Sequence, residues 1–425
     1  MINRAEQPLI KDAVDFEYHL KPYEKFILDN GVTVYAINAG AEEVLQVEWL
    51  FFAGNSQEEQ NLVAATTNHL LKNGTRQKTA FELNECFEFY GASLSRHCYN
   101  ETANIVLHCL NKHLSHLLPV VQELVTEATF PEEELNLYKQ NNKQRLEVSL
   151  KKPDFVAGRL IDEYVYGIDH PYGKYSSFET YDALQQKQLQ NFYQQYYLNG
   201  KCIIFIAGKI PPTAIGLLNQ YFGHLPFADN TLVKTHEATP AVEKKYRIIN
   251  DTEGVQGSIR IARPFPNRHH PDFIKCMVLN NVFGGFFGSR LMSNIREDKG
   301  YTYGIHSYLQ NHLQQSAWMV STEAGKDVCE ATITEVYKEM EDLREELVDE
   351  EELLLVKNYM LGTILGDLDG PFHIIGRWKN VVLNNLPEDY FYTTIATIKQ
   401  ITAEELQVLA KQYLQPADFY ELVVV

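Results

Sequence analysis

Alternating apolar and polar positions predict strands early in the chain and again past its middle. In VLQVEWLFFAG, the residues at every second position from Leu45 to Phe51 are apolar and fall on one face of a strand. GSIRIAR repeats this pattern with Ile259 and Ile261. ATITEVYKEMEDL instead has apolar residues at helical spacing, which predicts an amphipathic helix with Met340 in the core. We therefore expect an α+β chain whose helices pack on one side of mostly antiparallel sheets.

The chain repeats its own pattern once. PEEELNLYKQ, from Pro131, matches DEEELLLVKN, which begins 218 residues later at Asp349. A helical segment followed by a strand begins at Leu189 and again at Leu406, 217 residues later. A Gly-Thr dipeptide and a Gly-Ser dipeptide lie 214 residues apart. Because these three spacings nearly agree, they indicate two homologous halves of about 210 residues each.

A polar segment with two prolines separates the halves. PFADNTLVKTHEATPAVEKK, residues 226–245, has no sustained periodicity, so we predict that it is a linker. The first half is then residues 1–225 and the second is residues 246–425. Each is expected to contain one sheet with helices on one side.

Composition and charge exclude several classes of protein. The 425 residues are 45% hydrophobic and 22% charged, which is typical of a soluble globular protein. A net charge of −18 argues against a nucleic-acid partner, which needs clustered Lys and Arg. No apolar run reaches the ~18 residues of a membrane span, and the start has no secretory pattern. We therefore expect no membrane partner. The six cysteines form no C-x-x-C pair, so we expect them to be free thiols in the cytoplasm.

A histidine precedes a Gly-Thr dipeptide at the end of a predicted helix, in AATTNHLLKNGT. This region and DHPYGKYSSFETYDALQQKQLQNFYQQYY resemble the insulinase, pitrilysin and mitochondrial processing peptidase family. Members of that family carry the zinc motif H-x-x-E-H on a helix that is soon followed by Gly-Thr. The resemblance covers most of the chain and implies descent from a zinc peptidase.

The resemblance assigns the motif positions residue by residue. With the Gly-Thr dipeptides aligned, His69 matches the second histidine of the motif. The first histidine falls on Ala65, and the glutamate that acts as general base falls on Asn68. The third zinc ligand of the family falls at or next to Arg145.

These four positions form a degenerate zinc motif. Ala65 has no donor atom, and Asn68 cannot take up a proton at neutral pH. The guanidinium of Arg145 is always protonated and would repel a dication. A shift of register could recruit Glu147, but this gives at most two ligands and no base, whereas catalytic zinc normally has three protein ligands. We predict that the chain binds no metal and that His69 is an ordinary helix histidine.

The second half retains a different motif of the family. NNVFGGFFGSRLMSNIREDKGYTYGIHS resembles its glycine-rich segment and Arg/Tyr pair, with Arg296 and Tyr303 seven residues apart. In active members this pair holds the substrate backbone and can stabilise the oxyanion formed at the zinc of the other half. The alternative is that Arg296 pairs with a neighbour such as Glu297 and that Tyr303 only packs.

The glycines of this segment are expected to allow close backbone packing or hinge-like freedom. They are Gly284, Gly285 and Gly288. No Lys-Ser/Thr follows them, so a phosphate-binding loop is a poor interpretation.

An intact Arg/Tyr pair beside a degenerate zinc motif predicts a non-catalytic subunit of a heterodimeric zinc metallopeptidase. A homologous partner subunit would carry H-x-x-E-H and the zinc, and this chain would be inactive alone. Arg296 and Tyr303 would act in trans on a peptide that binds as an extended strand. Two alternatives stay open: a structural or interaction subunit with no catalytic role, and a self-sufficient zinc peptidase with atypical ligands.

Overall fold

The computed structural model describes residues 11–228 and 234–425 and contains one sheet in each half. Residues 1–10 of the predicted first half and residues 229–233 of the predicted linker lie outside the described residues. In the described ranges, no helix has both the length and the apolar character needed to cross a bilayer. The α-helices of the described ranges are α1 (Val63–Leu70), α2 (Ala80–Phe89), α3 (Leu114–Glu127), α4 (Glu132–Ser149), α5 (Pro153–Tyr166), α6 (Phe178–Asp182), α7 (Gln186–Tyr193), α8 (Ala214–Phe222), α9 (Phe273–Asn280), α10 (Cys329–Glu345), α11 (Glu350–Gly366), α12 (Pro371–Leu383), α13 (Tyr390–Gln400) and α14 (Ala403–Tyr413).

Five strands of the first sheet have the same order as the five of the second, with β1 as an additional edge strand, and this confirms the predicted α+β repeat. In each sheet one pair of strands is parallel, β2 with β6 and β7 with β11, and the other pairs are antiparallel. The first sheet has the order β1-β2-β6-β3-β5-β4, with β1 (Glu24–Ile27), β2 (Thr33–Asn38), β3 (Val44–Phe51), β4 (Ser93–Cys98), β5 (Ala103–Leu110) and β6 (Cys202–Gly208). The second has the order β7-β11-β8-β10-β9, with β7 (Lys245–Ile248), β8 (Gln256–Phe265), β9 (Thr302–Asn311), β10 (Ser316–Gly325) and β11 (Tyr420–Val424).

The apolar faces predicted from the sequence are buried. Every second residue of β3 from Leu45 to Phe51 belongs to the core between the first sheet and the helices of its own half. Ile259 and Ile261 of β8 likewise belong to the core of the second half, where Met340 of α10 is fully buried. The period-two and helical patterns in the sequence therefore predict correctly which faces of these elements are buried.

The opposite face of each sheet is covered by a helix from the other half. Helix α5 of the first half buries Ile161 in one cluster with Met319 and Leu422 of the second sheet. Helix α12 of the second half buries Trp378 in a cluster that includes Phe205 of the first sheet. This exchange joins the two halves through apolar cores, and the sequence pattern does not reveal it.

Candidate functional site

Helix α1 is held by a carboxylate at its start and by the core along one side. Glu58 accepts hydrogen bonds from the main-chain N–H groups of Leu62 and Ala64, at 3.1 and 2.8 Å. Such bonds satisfy donors that have no partner within the helix. Burial raises the pKa of Glu58 to about 7, although the main-chain bonds oppose this shift. Val63 and Leu70 are buried in the core, so the orientation of the helix is fixed.

Asn68 is a buried structural residue. Its Nδ2 donates to the main-chain oxygen of Asn104 on β5, at 3.2 Å, and to the hydroxyl of Tyr197, at 3.1 Å. Only 2% of Asn68 is exposed. The amide thus ties α1 to the sheet at the position that the sequence resemblance assigns to the general base.

His69 and Ala65 lie one turn apart on the other side of α1. Ala65 is half-buried and offers no donor atom, whereas His69 is exposed. The His69 imidazole contacts the ring of Tyr138 on α4, with 4.9 Å between ring centroids. Burial raises the pKa of Tyr138 to about 12, so the phenol stays neutral.

Two guanidinium groups lie close to His69. Arg96 of β4 donates from Nη1 to the main-chain oxygen of His69, and Arg145 lies on α4. Neighbouring atoms partly desolvate the His69 imidazole although the residue stays exposed to solvent; this lowers its pKa, and the charges of Arg96 and Arg145 lower it further. Burial lowers the pKa of Arg96 to about 10, which still leaves it charged at neutral pH. Sequence reasoning placed Arg145 here but missed Arg96, whose only signal is a lone arginine in an otherwise uncharged strand.

These residues do not fit a zinc ion. Ala65 supplies no donor, the Asn68 amide is engaged in the core, and His69 is the one imidazole at the motif. Within residues 11–228 and 234–425, no group of three or more His, Cys, Asp or Glu side chains could hold a metal. Two permanent positive charges suit an anion at this position and oppose a dication.

The Gly-Thr dipeptide after α1 is retained for packing reasons. Gly74 has φ +142°, a conformation that other residues rarely adopt, and a Cβ there would lie 2.9 Å from Cγ of Pro131. Thr75 donates to the buried carboxylate of Glu123, which also pairs with Lys78. The dipeptide anchors the segment between α1 and α2.

Arg296 lies on a π-helical segment, Met292–Asp298, that packs against β9. Its Nη1 pairs with Glu297 Oε1 at 2.8 Å, and its guanidinium lies 4.6 Å from the ring centroid of Phe287. The ion pair matches the alternative drawn from the sequence. Because both partners are partly exposed, such a pair contributes at most about 1 kcal/mol and can exchange for a ligand.

Tyr303 projects from a bulge in β9. The pairing of β9 with β10 shifts by one residue between Ile305 and Thr302, so β9 contains an extra residue there. Bulges of this kind redirect side chains. Tyr303 is 93% exposed, and in the described parts of the chain its hydroxyl makes no hydrogen bond. Tyr303 therefore does not pack, contrary to the alternative drawn for it.

The glycine-rich segment contains one position of close contact. A Cβ on Gly284 would lie 2.7 Å from Cβ of Ser307 on β9 and 2.8 Å from Leu291. A Cβ on Gly285 would approach the side chains of Asn280 and Asn281, and a Cβ on Gly288 would approach that of Phe286. Gly284 thus lets this segment lie directly on β9, near the Arg296 and Tyr303 elements.

The two candidate motifs share no polar contact in the described residues. Among the described residues, no hydrogen bond or ion pair links Arg296 or Tyr303 to α1 or to Arg145. The degenerate zinc motif belongs to the first half and the exposed Arg/Tyr pair to the second.

Family models match both halves. The model described as insulinase (peptidase family M16) matches residues 37–170, and the model of the peptidase M16 inactive domain matches residues 183–360. The chain belongs to the insulinase family. Together the two matches cover more than two thirds of its length.

Relatives of this insulinase-family chain are similar over most of their length. The uncharacterized zinc protease YmxG of Bacillus subtilis is 23% identical over 350 residues, covering 81% of this chain and 82% of YmxG. The peptidase M16 inactive domain of Pseudomonas fluorescens superposes with a TM-score of 0.81 at 21% identity, covering 95% of this chain and 98% of that one. A chain of complex III2 from Candida albicans superposes with a TM-score of 0.75 at 14% identity, covering 94% and 95%. The two structures show a shared fold.

Proposed function

We propose that this chain is the non-catalytic subunit of a two-chain zinc metallopeptidase and that its second half contacts the substrate. The observation that carries the proposal is the exposed hydroxyl of Tyr303 at the bulge in β9. A phenol held outward by a bulge, on the strand against which the Arg296 segment packs, is available to a ligand. The first half lacks a donor set for zinc, so a homologous H-x-x-E-H subunit would supply the metal.

In this proposal Arg296 and Tyr303 act on a peptide bound at the partner. The Tyr303 hydroxyl donates to the scissile carbonyl oxygen, and the Arg296 guanidinium leaves Glu297 to face the same developing negative charge. Donors aimed at an oxyanion typically contribute about 10²–10³ in rate each.

Of the four edge strands in the described residues, the two longer ones, β4 and β9, can receive an extended peptide. In the described residues β4 pairs only with β5, and β9 pairs only with β10. An unpaired edge offers main-chain donors and acceptors to an added strand. We propose that the substrate binds in this way, and that selection depends on local side-chain pockets.

We also propose a cytoplasmic location, with no nucleic-acid or membrane partner. All six cysteines are free thiols, which suits a reducing compartment. The net charge of −18 disfavours binding to phosphate backbones.

A second candidate is a structural subunit without any catalytic role. It is favoured by the similarity in fold to a chain of the Candida albicans complex III2. In that case Arg296 and Tyr303 would be replaceable without loss of any peptidase activity.

Mixing experiments test the first proposal. This chain and a homologous H-x-x-E-H chain from the same genome are purified separately and combined. The proposal predicts one complex by size-exclusion chromatography, and peptide cleavage by the mixture but not by this chain alone. Cleavage by this chain alone, abolished by His69→Ala, would instead establish a self-sufficient peptidase.

A further inference from the structure

The second half contains a mainly apolar cavity of about 610 Å³ outside the peptidase motifs. It lies among α9, α11, α12 and α13 and is open to solvent on one side. Its volume falls in the range of sites for small molecules, about 300–1,000 Å³. The apolar lining includes Met277, Met360, Phe372, Val381, Phe391 and Ile398.

One cation lines this cavity without an acidic partner. Arg268 is half-buried, and no carboxylate within residues 11–228 and 234–425 forms an ion pair with it. Burial lowers the pKa of Arg268, and the neighbouring Tyr390 opposes this shift. A guanidinium keeps its proton in proteins, so Arg268 places an uncompensated positive charge in the wall.

Two further polar groups line the cavity. The Tyr390 hydroxyl interacts with the Arg268 guanidinium, and the buried Nε of Arg377 makes no hydrogen bond in the described part of the chain. Nη2 of Arg377 does bond Asp367, at 2.7 Å, so that arginine is already neutralised. Buried polar groups without partners are uncommon and costly. Arg268, held beside Tyr390, therefore keeps N–H donors without a carboxylate partner and can bind an anion.

A second cavity of about 630 Å³ adjoins the first. The two share Arg268, Gly376 and Asn380, so the guanidinium lies where they meet. The carboxylate of Glu48 in the second cavity is already paired with Lys379, at 2.9 Å. It therefore does not compete for Arg268.

We propose that the cavity under α12 binds an apolar monocarboxylate, with the carboxylate on Arg268, which Tyr390 positions, and the apolar body between α11 and α13. The charge of Arg268 matches the carboxylate of such a molecule, and the apolar walls match its body. This site is independent of the peptidase proposal, because it uses none of the residues assigned to catalysis or to the degenerate zinc motif.

Isothermal titration with 4-phenylbutyrate and the uncharged 4-phenyl-1-butanol tests the site in the full chain. We expect the carboxylate to bind at least about tenfold more tightly than the alcohol, because charge-assisted hydrogen bonds supply the difference. No binding of the carboxylate at millimolar concentration, or equal binding of both compounds, would overturn the proposal.

Three variants locate the binding. Arg268→Met keeps the bulk of the side chain and should weaken carboxylate binding about tenfold or more while leaving the alcohol unchanged. Tyr390→Phe should weaken carboxylate binding by a smaller factor. It keeps the apolar wall and so provides a second test if Arg268→Met folds poorly. Lys338→Met removes an exposed cation of α10 outside the cavity and should have no effect. Unchanged affinity in both Arg268→Met and Tyr390→Phe would place the ligand elsewhere and refute the site.

Discussion

The guanidinium of Arg96 donates a hydrogen bond to the main-chain oxygen of His69, the one imidazole that survives at the zinc motif. With Arg145 on the facing helix, it surrounds that imidazole with two permanent positive charges. The site therefore has few groups that could bind a dication and two charges that oppose one.

Restoring the ligands and removing one charge should restore zinc binding. In the double variant Ala65→His/Arg145→Glu, two imidazoles and a carboxylate would be available, which is the ligand set of many catalytic zinc sites. We expect zinc affinity at least about a hundredfold above that of the unmodified chain. Competition with a chromophoric chelator measures it.

The single variant Ala65→His is the matched control, because it adds a ligand but keeps Arg145. It should bind zinc more weakly than the double variant. Near-stoichiometric zinc in the unmodified chain, lost in His69→Ala, would show that our reading of this site is wrong.

Asn68 should contribute to stability. Asn68→Ala leaves the buried Tyr197 hydroxyl and the Asn104 carbonyl each without one partner, so the free energy of unfolding should fall by about 1–3 kcal/mol. Urea denaturation measures the change. Asn136→Ala, at an exposed position of α4, should change stability by no more than about 0.5 kcal/mol. Equal effects of the two variants would remove the structural role given to Asn68.

The close contact at Gly284 should make it intolerant of a methyl group. Gly284→Ala would press a Cβ against Ser307 and Leu291 and should cost about 1–3 kcal/mol of unfolding free energy. Gly362→Ala in α11 meets nothing within 4 Å and should stabilise by about 0.5–1 kcal/mol, because alanine favours the helix. Relative to the unmodified chain, the midpoints of thermal and urea unfolding should thus fall for Gly284→Ala and rise for Gly362→Ala. A stable Gly284→Ala protein would contradict the packing described.

His312 should make the protein sensitive to acid. It lies in the turn between β9 and β10, where its ring is 4.0 Å from that of Tyr172 and its Nδ1 is 3.1 Å from Nδ2 of Asn100, both in the first half. Burial, aided by nearby His170, lowers its pKa to about 4 in the folded protein. The unfolded chain has a pKa near 6.5 and so binds more protons between these values. The free energy of unfolding must therefore fall as the pH falls from about 6.5 towards 4.

The test compares urea denaturation at pH 7 and pH 5. The loss between these values should be about 2 kcal/mol smaller in His312→Gln than in the unmodified chain. His19→Gln, at an exposed position, should lose as much as the unmodified chain. An identical loss in His312→Gln would show that the contact between the halves is not a source of acid sensitivity.

The sequence predicted the elements better than their assembly. Local periodicity identifies the buried faces of β3 and α10, because each depends only on which residues face inward. It cannot reveal that α5 and α12 cover the sheets of opposite halves. A helix that packs on the other half has the same kind of amphipathic pattern as a helix that packs on its own half. That information lies in contacts between residues distant in the chain.

The candidate site divides in the same way. Motif spacing located His69, Arg145, Arg296 and Tyr303, since each has a fixed offset from a recognisable dipeptide or glycine run. Spacing could not find Arg96, which reaches His69 from a separate strand. The bulge that exposes Tyr303 was equally invisible, because it arises from the register of β9 against β10.

The most direct test of the central claim is the rate of peptide cleavage by the reconstituted pair of subunits, with the substitutions placed in this chain. Arg296→Ala and Tyr303→Phe should each lower kcat/KM about a hundredfold while leaving assembly and stability unchanged, and Tyr392→Phe, at another exposed tyrosine, should have no effect. Full activity in both Arg296→Ala and Tyr303→Phe would contradict the account and leave this chain as a structural subunit.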